Sequence, residues 1–544
     1  FIYKGMIQLD STEARNFAVH LEGYEGLGGE LVKNGNFSEI GSDLVTNGDF
    51  SAEGINLVSN PNFTDGVEKI VDGDFPFPNT AWSLNAGVTV PSAGILDFDG
   101  TGGAYASQDI LTSGNSYKVT IEVADASLTD TLIIYLGAVN AIYSSVVAAD
   151  TTLVIYGVAG GLDNQFYLGD WEGTITNVSV KELGADWSVS AVGGISFNGS
   201  GLSLDSSEID TSGGGTVYSS CSQIGTIFEI GKSYKLVIED LDITSGSIEL
   251  KFGRSHSSTP PRPYLTSADN GTFTEYFTAV DQNDSFTINS GGGTVATLSS
   301  ISVQELGEGW TVGTGWSIGA NAAISDGTNS AISQAVMTAE KSYKITATVT
   351  GSPSLLVFSS ASFYGVTAER TLINGTNTYY LQSKSANFSI TNAGSDACTI
   401  TNITVQEVGQ DWTLGTGATI GANELVINGG DGLVAYQPSI LDATGYYIIS
   451  FVVSDYSQGY IKGNVSNVVG DPISSDGSHT QYIQGASTAN VGVSCTDSFI
   501  GNVTDIVVKQ LDTNNRWVTF ADPSSLAVMK LGQVDLEIDA SGNN

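Results

Sequence analysis

SYKVTIEV, residues 116–123, decides the fold class. Tyr117, Val119, Ile121 and Val123 alternate with Lys118, Thr120 and Glu122. That period of two belongs to a β-strand with one face on a core and the other in water. The pattern returns as SYKLVIED (233–240) and SYKITATV (342–349), and in looser form as YYIISFVV (446–453), aligned on Tyr117, Tyr234, Tyr343 and Tyr447. Each copy is followed by a second alternating strand: NVSVKEL (177–183), SISVQEL (300–306), NITVQEV (402–408) and DIVVKQL (505–511). Their inward pairs read Val178/Val180, Ile301/Val303, Ile403/Val405 and Ile506/Val508.

A tryptophan opens each unit. Trp82, Trp187, Trp310 and Trp412 are 105, 123 and 102 residues apart, too far for solenoid repeats and about the size of a small domain. Four tandem modules follow, at 76–183, 184–306, 307–408 and 409–511. Between the landmarks lie short β-branched or aromatic runs broken by Gly, Asn, Asp and Ser, with almost no helical periodicity. The expected fold is all-β: tandem antiparallel β-sandwiches, or jelly rolls.

Composition narrows the class. Hydrophobic residues make up 41%, enough to bury cores, so the chain is not a disordered polymer. Nineteen basic side chains stand against 58 acidic ones, a net charge of −39 that repels nucleic-acid phosphates. Neither nucleic acid nor membrane insertion is expected, since no stretch approaches the roughly 18 apolar residues of a spanning helix. Cys221, Cys398 and Cys495 fall in three different modules, so no module can close its own disulfide.

The leading region is organised differently. Residues 1–30 read as an attachment segment with one short helix, capped by Asp10 or Ser11 and pairing Phe17 with Leu21. Residues 31–75 hold a short array: LVKNGNF, LVTNGDF, LVSNPNF and IVDGDF, starting at intervals of 13 from Leu31. Each copy pairs apolar residues with a turn dipeptide and a Phe. Pro61 cannot take positive φ, so either the turn type varies or the Gly of the other copies is not needed for its φ. Each copy is too short to enclose its apolar side chains. They must stack on each other, on the sandwich or on other chains. A symmetric homo-oligomer, with a trimer expected, would supply identical partners. The array is similar to the shaft repeats of trimeric viral fibres. Residues 512–544 read as a C-terminal extension.

The phrase LVxNGDF, a Trp, an SYK strand and a closing VSVKEL strand together resemble carbohydrate-binding modules of families four and nine. That resemblance implies a galactose-binding-like jelly roll. Strings of such modules ending in VKEL or VQEL also resemble head fibres, tail fibres and decoration proteins of tailed bacteriophages. The implied function is a non-enzymatic virion surface protein, outside the cell, that touches other virion proteins and adheres weakly and multivalently to glycans. A bacterial surface adhesin, or the accessory region of a larger glycosidase, are the alternatives.

No catalytic constellation stands out. His20, His256 and His479 lie far apart in sequence, and no GxSxG, HExxH or phosphate-cradling loop is present. Glycan-binding sandwiches use exposed rings, because the apolar faces of sugars stack on them. Trp316 is a candidate because the next module has Ala418 at its place; it either contacts ligand or fills a packing gap. The second module carries an excursion with Arg254, His256, Arg262 and Tyr264. In so acidic a chain this could hold an acidic sugar or a virion protein, or be an ordinary surface loop. Asp97 and Asp99 could donate oxygens to a structural calcium ion, which related modules often keep, or reflect acidic turn chemistry alone; no other cofactor is expected.

Overall fold

The computed structural model describes residues 27–511 apart from short internal segments (64–65, 127–129, 138–140, 148, 162–163, 190–193, 207–218, 253–263, 280–282, 292, 365–370, 439–440, 442–444 and 486–488). The helix expected near the start and the C-terminal extension lie outside the described residues.

The fold is all-β, built of antiparallel sheets packed face to face. In the first module, strands Ala141–Val146, Thr131–Leu136, Gln165–Gly169, Tyr105–Asp109 and Ser83–Leu84 form one sheet. The second sheet is Thr151–Val158, Ser116–Ala124, Glu172–Glu182, Leu96–Asp99 and Val88–Thr89. The second and third modules repeat this pairing of sheets. In the fourth, the long strands Tyr446–Val465 and Val491–Leu511 bend through both layers and join them into one connected sheet. Four separate apolar clusters fill the modules. Tyr117, Tyr234, Tyr343 and Tyr447 are each at most 1% exposed within them. The first three tyrosine hydroxyls accept hydrogen bonds from the backbone N–H of Thr112, Glu229 and Thr338, at 2.7, 2.8 and 2.7 Å. Each phenol thereby ties its strand to the corner five residues upstream.

The short array completes these cores in reverse order. Residues 31–37 join the fourth module, 44–50 the third, 57–63 the second and 69–75 the first. Leu31, Leu44, Leu57 and Lys69 donate their N–H to the carbonyls of Val508, Val405, Val303 and Val180, at 2.8–2.9 Å. Val32, Phe37, Val45, Phe50, Val58, Phe63, Ile70 and Phe75 are all at most 8% exposed. The fourth copy sits one residue off the reading made from sequence. Lys69 takes the leucine position and Ile70 the valine position, so the last interval is 12 residues rather than 13. Because the modules of the same chain cover these side chains, they do not supply the apolar surface on which the oligomerising shaft was argued. Nor do the copies stack on one another.

The turn chemistry explains Pro61. In each copy the Phe N–H bonds to the carbonyl three residues back, from Asn34, Asn47, Asn60 or Asp72. Positive φ falls on those Asn or Asp residues (47°, 53°, 47° and 56°) and on the Phe itself, not on the Gly. Asn and Asp tolerate that region, and Phe is forced into it. In the three copies with Gly the closing strand comes close: a Cβ on Gly35, Gly48 or Gly73 would meet the carbonyl oxygen of Ile506, Ile403 or Val178 at 1.9–2.1 Å unless the backbone shifted. Pro61, with its negative φ, stands at this place in the third copy, and its carbonyl still accepts from Ile301 N–H.

Neighbouring modules meet through a repeated joint. The last residue of each closing strand, Leu183, Leu306 or Val408, is buried in the core of the following module. The glycine after it, Gly184, Gly307 or Gly409, has φ of 61°, 77° or 66°. Each lies so close to Phe197, Ile318 or Ile420 of the next module that a Cβ would approach within 2.3–2.8 Å. These glycines answer two demands at once, left-handed backbone and absent side chain.

Candidate functional site

The outer face of the first module's five-stranded sheet carries three tyrosines on neighbouring strands. Strand Gln165–Gly169 sends Phe166 and Leu168 into the core, which turns Tyr167 outward. Tyr135 lies directly opposite Tyr167 on strand Thr131–Leu136. Their rings are stacked, with centroids 4.3 Å apart and planes 18° from parallel. Tyr105, on strand Tyr105–Asp109, extends the row, its ring 5.9 Å from that of Tyr167 and its side 40% exposed.

The row is framed by polar groups. Asn85 Oδ1 accepts from Tyr105 N–H at 2.6 Å while its amide donates to Gly103 O at 2.7 Å. Gly103 N–H in turn donates to Asp170 Oδ1 at 2.6 Å. These bonds fix the backbone that carries Tyr105. Gln165 and Asp109 lie across from each other on adjacent strands, 3.4 Å apart. Aromatic faces with a carboxylate and an amide beside them are the chemistry that holds a sugar: ring stacking for its apolar face, hydrogen bonds for its hydroxyls.

The row is confined to one of the first three modules. A buried glutamine marks equivalent positions, since Gln108, Gln223 and Gln334 make the same bonds in each. Relative to it, Tyr105 corresponds to Ser220 and Ala331, and Tyr167 to Thr287 and Ser389. Lys251 stands where Tyr135 does. The signal in the sequence was the outward position of Tyr in AYASQ, LIIYL and QFYLG. That signal is weak, because strand phase alone does not tell which outward Tyr share a face.

The residues proposed from sequence do not come together. Trp316 is 3% exposed and lies in the third module's core, at the place Val88, Ile195 and Ala418 fill elsewhere. Its ring fills a packing gap and offers no face to a sugar. Tyr264 is 52% exposed, beside Leu265, which exchanges both backbone hydrogen bonds with Ile248 at the edge of the second module's sheet. Arg254, His256 and Arg262 lie outside the described residues. Asp97 and Asp99 project from the outer side of strand Leu96–Asp99, whose Leu96 and Phe98 point inward. The Asp99 carboxylate accepts from Thr101, which holds its pKa below the usual value. Among the described residues no group of three or more His, Cys, Asp or Glu side chains is placed to hold a metal ion.

No helix among the described residues is long and apolar enough to cross a membrane. No protein-family model matches the chain, and no curated protein matches it. Among solved structures it is similar to the N-terminal CBM22-1–CBM22-2 tandem domain of Xyn10C from Paenibacillus barcinonensis. The identity is 11%, over 45% of this chain and 99% of that one, with a TM-score of 0.17. At that TM-score the similarity carries no argument about function.

Proposed function

We propose that the chain is a non-catalytic display protein that holds a glycan on the tyrosine row of its first module. The observation that supports this most is the stacked pair Tyr135 and Tyr167, with Tyr105 beside it, on a face that turns outward from the core. Tyr105 is 40% exposed and Tyr135 and Tyr167 are partly buried, and a sugar-binding face needs such rings open to water on one side. The other modules act as spacers that set the distance of this face from its support. The resemblance of the closing VKEL and VQEL strands to bacteriophage fibre and decoration proteins supports a virion surface as that support.

The test is binding of the intact chain to a panel of immobilised oligosaccharides, beside a Tyr135→Ala/Tyr167→Ala variant. Retention of wild-type binding, with at least a tenfold loss in the variant, is expected. A panel without any binder, or binding that survives the double substitution, refutes the assignment. Mass spectrometry of purified particles from a phage encoding the chain tests the location; its absence from particles removes the virion reading.

A further inference from the structure

The contacts that seat the four array segments are nearly all made to backbone atoms, and they recur in every module. A buried glutamine takes the N–H of Lys33, Thr46, Ser59 or Val71 on its side-chain oxygen, at 3.1–3.2 Å. The amide of that same Gln437, Gln334, Gln223 or Gln108 donates to the carbonyl of the same segment residue. The indole N–H of Trp412, Trp310, Trp187 or Trp82 donates to the carbonyl of Asn34, Asn47, Asn60 or Asp72, at 3.0–3.3 Å. The side chain of Glu30, Asp43, Asn56 or Glu68 gathers one N–H from the segment and one from the closing strand. The Phe ring then packs on the Trp, with centroids 4.9–5.4 Å apart.

Apart from two ion pairs, Lys69 with Glu182 in the first module and Glu53 with Lys235 in the second, a groove that reads backbone, one valine or isoleucine and one phenylalanine distinguishes these segments little by side chain. What assigns each segment to its module is the tether, which raises its effective concentration at one groove above all competitors. We infer that every module is a strand-acceptor site of common specificity, and that a second copy of this chain can fill it with its own array segment when the resident one is displaced. The partner is thus defined chemically: a turn-bearing segment with an apolar residue, an Asn or Asp two positions on, and a Phe three positions after that.

The test uses the full chain with Val32→Asp and Phe37→Asp, which disables the segment of the fourth module alone. A fluorescent peptide spanning residues 27–40 is added. Uptake by the variant at least a hundredfold tighter than by wild type, whose groove is occupied, is expected. An unlabelled peptide spanning 40–53 should compete within about tenfold, because the groove reads backbone. Should the variant's fourth module not stay folded, a full chain carrying a protease site between Ser38 and Glu39, both exposed, is cut after folding. Replacement of its leading fragment by the labelled peptide is then the expected result. No uptake by either protein overturns the proposal, and so does failure of the 40–53 peptide to compete. For the second-copy partner, the variant is mixed with a chain carrying Tyr447→Asp, whose first segment is left without its own groove. Light scattering should find a one-to-one heterodimer, and monomers alone would overturn the trans assignment.

Discussion

The grooves that hold the array and the outer faces of the sheets treat sequence in opposite ways. In the grooves, the same Trp, Gln and Phe recur in all four modules with nearly the same distances. On the outer faces, equivalent positions hold Tyr in the first module, Ser, Lys and Thr in the second, and Ala and Ser in the third. The groove must complete a core and pair buried backbone, and few side chains do that. The outer face must only stay in water, so it is free to carry a function in one module and none in the next.

Truncating the groove phenylalanine breaks that comparison most forcefully. Phe37→Ala, Phe50→Ala and Phe63→Ala should each destabilise one module by about 3–5 kcal/mol, seen by calorimetry as one shifted transition. Costs that differ more than twofold between modules would show that the grooves are not equivalent. Next comes Gln334→Leu, which removes the buried side chain that pairs both the N–H and the carbonyl of Thr46. We expect a loss on the order of 2 kcal/mol in the third module, measured by denaturant unfolding.

High pH acts on the anchors of the first three modules together. Burial, the largest cause, holds the pKa of Tyr117, Tyr234 and Tyr343 above the ordinary tyrosine value of 10.0. The folded state therefore keeps protons that the unfolded chain gives up. Their contribution is fully present below about pH 10 and is lost as pH rises through the folded-state values. Tyrosinate absorbance and unfolding should rise together above pH 10; early titration without unfolding would show these rings to be accessible. The smallest effect is expected on the outer face. Ser220→Tyr, Lys251→Tyr and Thr287→Tyr, which build the tyrosine row on the second module, should change its stability by no more than about 0.5 kcal/mol each. A larger loss would mean that this face is under structural constraint after all.

The strands were legible because their inward residues alternate. Tyr117 and Val180 could be placed on the core face without any coordinates, and each is at most 1% exposed. The partnership of the array with the modules was not legible. Glu30 reaches Val508 N–H across 478 residues, and such a contact with backbone leaves no complementary side chain to find. The order is further hidden because four similar segments meet four similar grooves, so sequence cannot say which goes where. Trp316 misled for a related reason: a ring that departs from the repeat can compensate a local void as readily as it can face a ligand. The tyrosine row was hidden among 22 tyrosines, and what separates its members is strand phase and cross-strand register, which only the paired strands supply.

The reversed order of the array also sets how the molecule answers a pull. Strand Leu27–Glu30 lies antiparallel to the end of Val491–Leu511, with Leu27 opposite Leu511, so the two described ends of the chain leave from neighbouring points on the fourth module. Tension between them peels that strand pair one hydrogen bond at a time instead of shearing many at once. As the leading strand lifts, its segment comes out of the fourth module first, then the next out of the third, the second and the first. The modules nearest the tyrosine row carry no load until the earlier ones have given way. A chain held by both ends would therefore yield by unzipping at the fourth module while the first module stays intact.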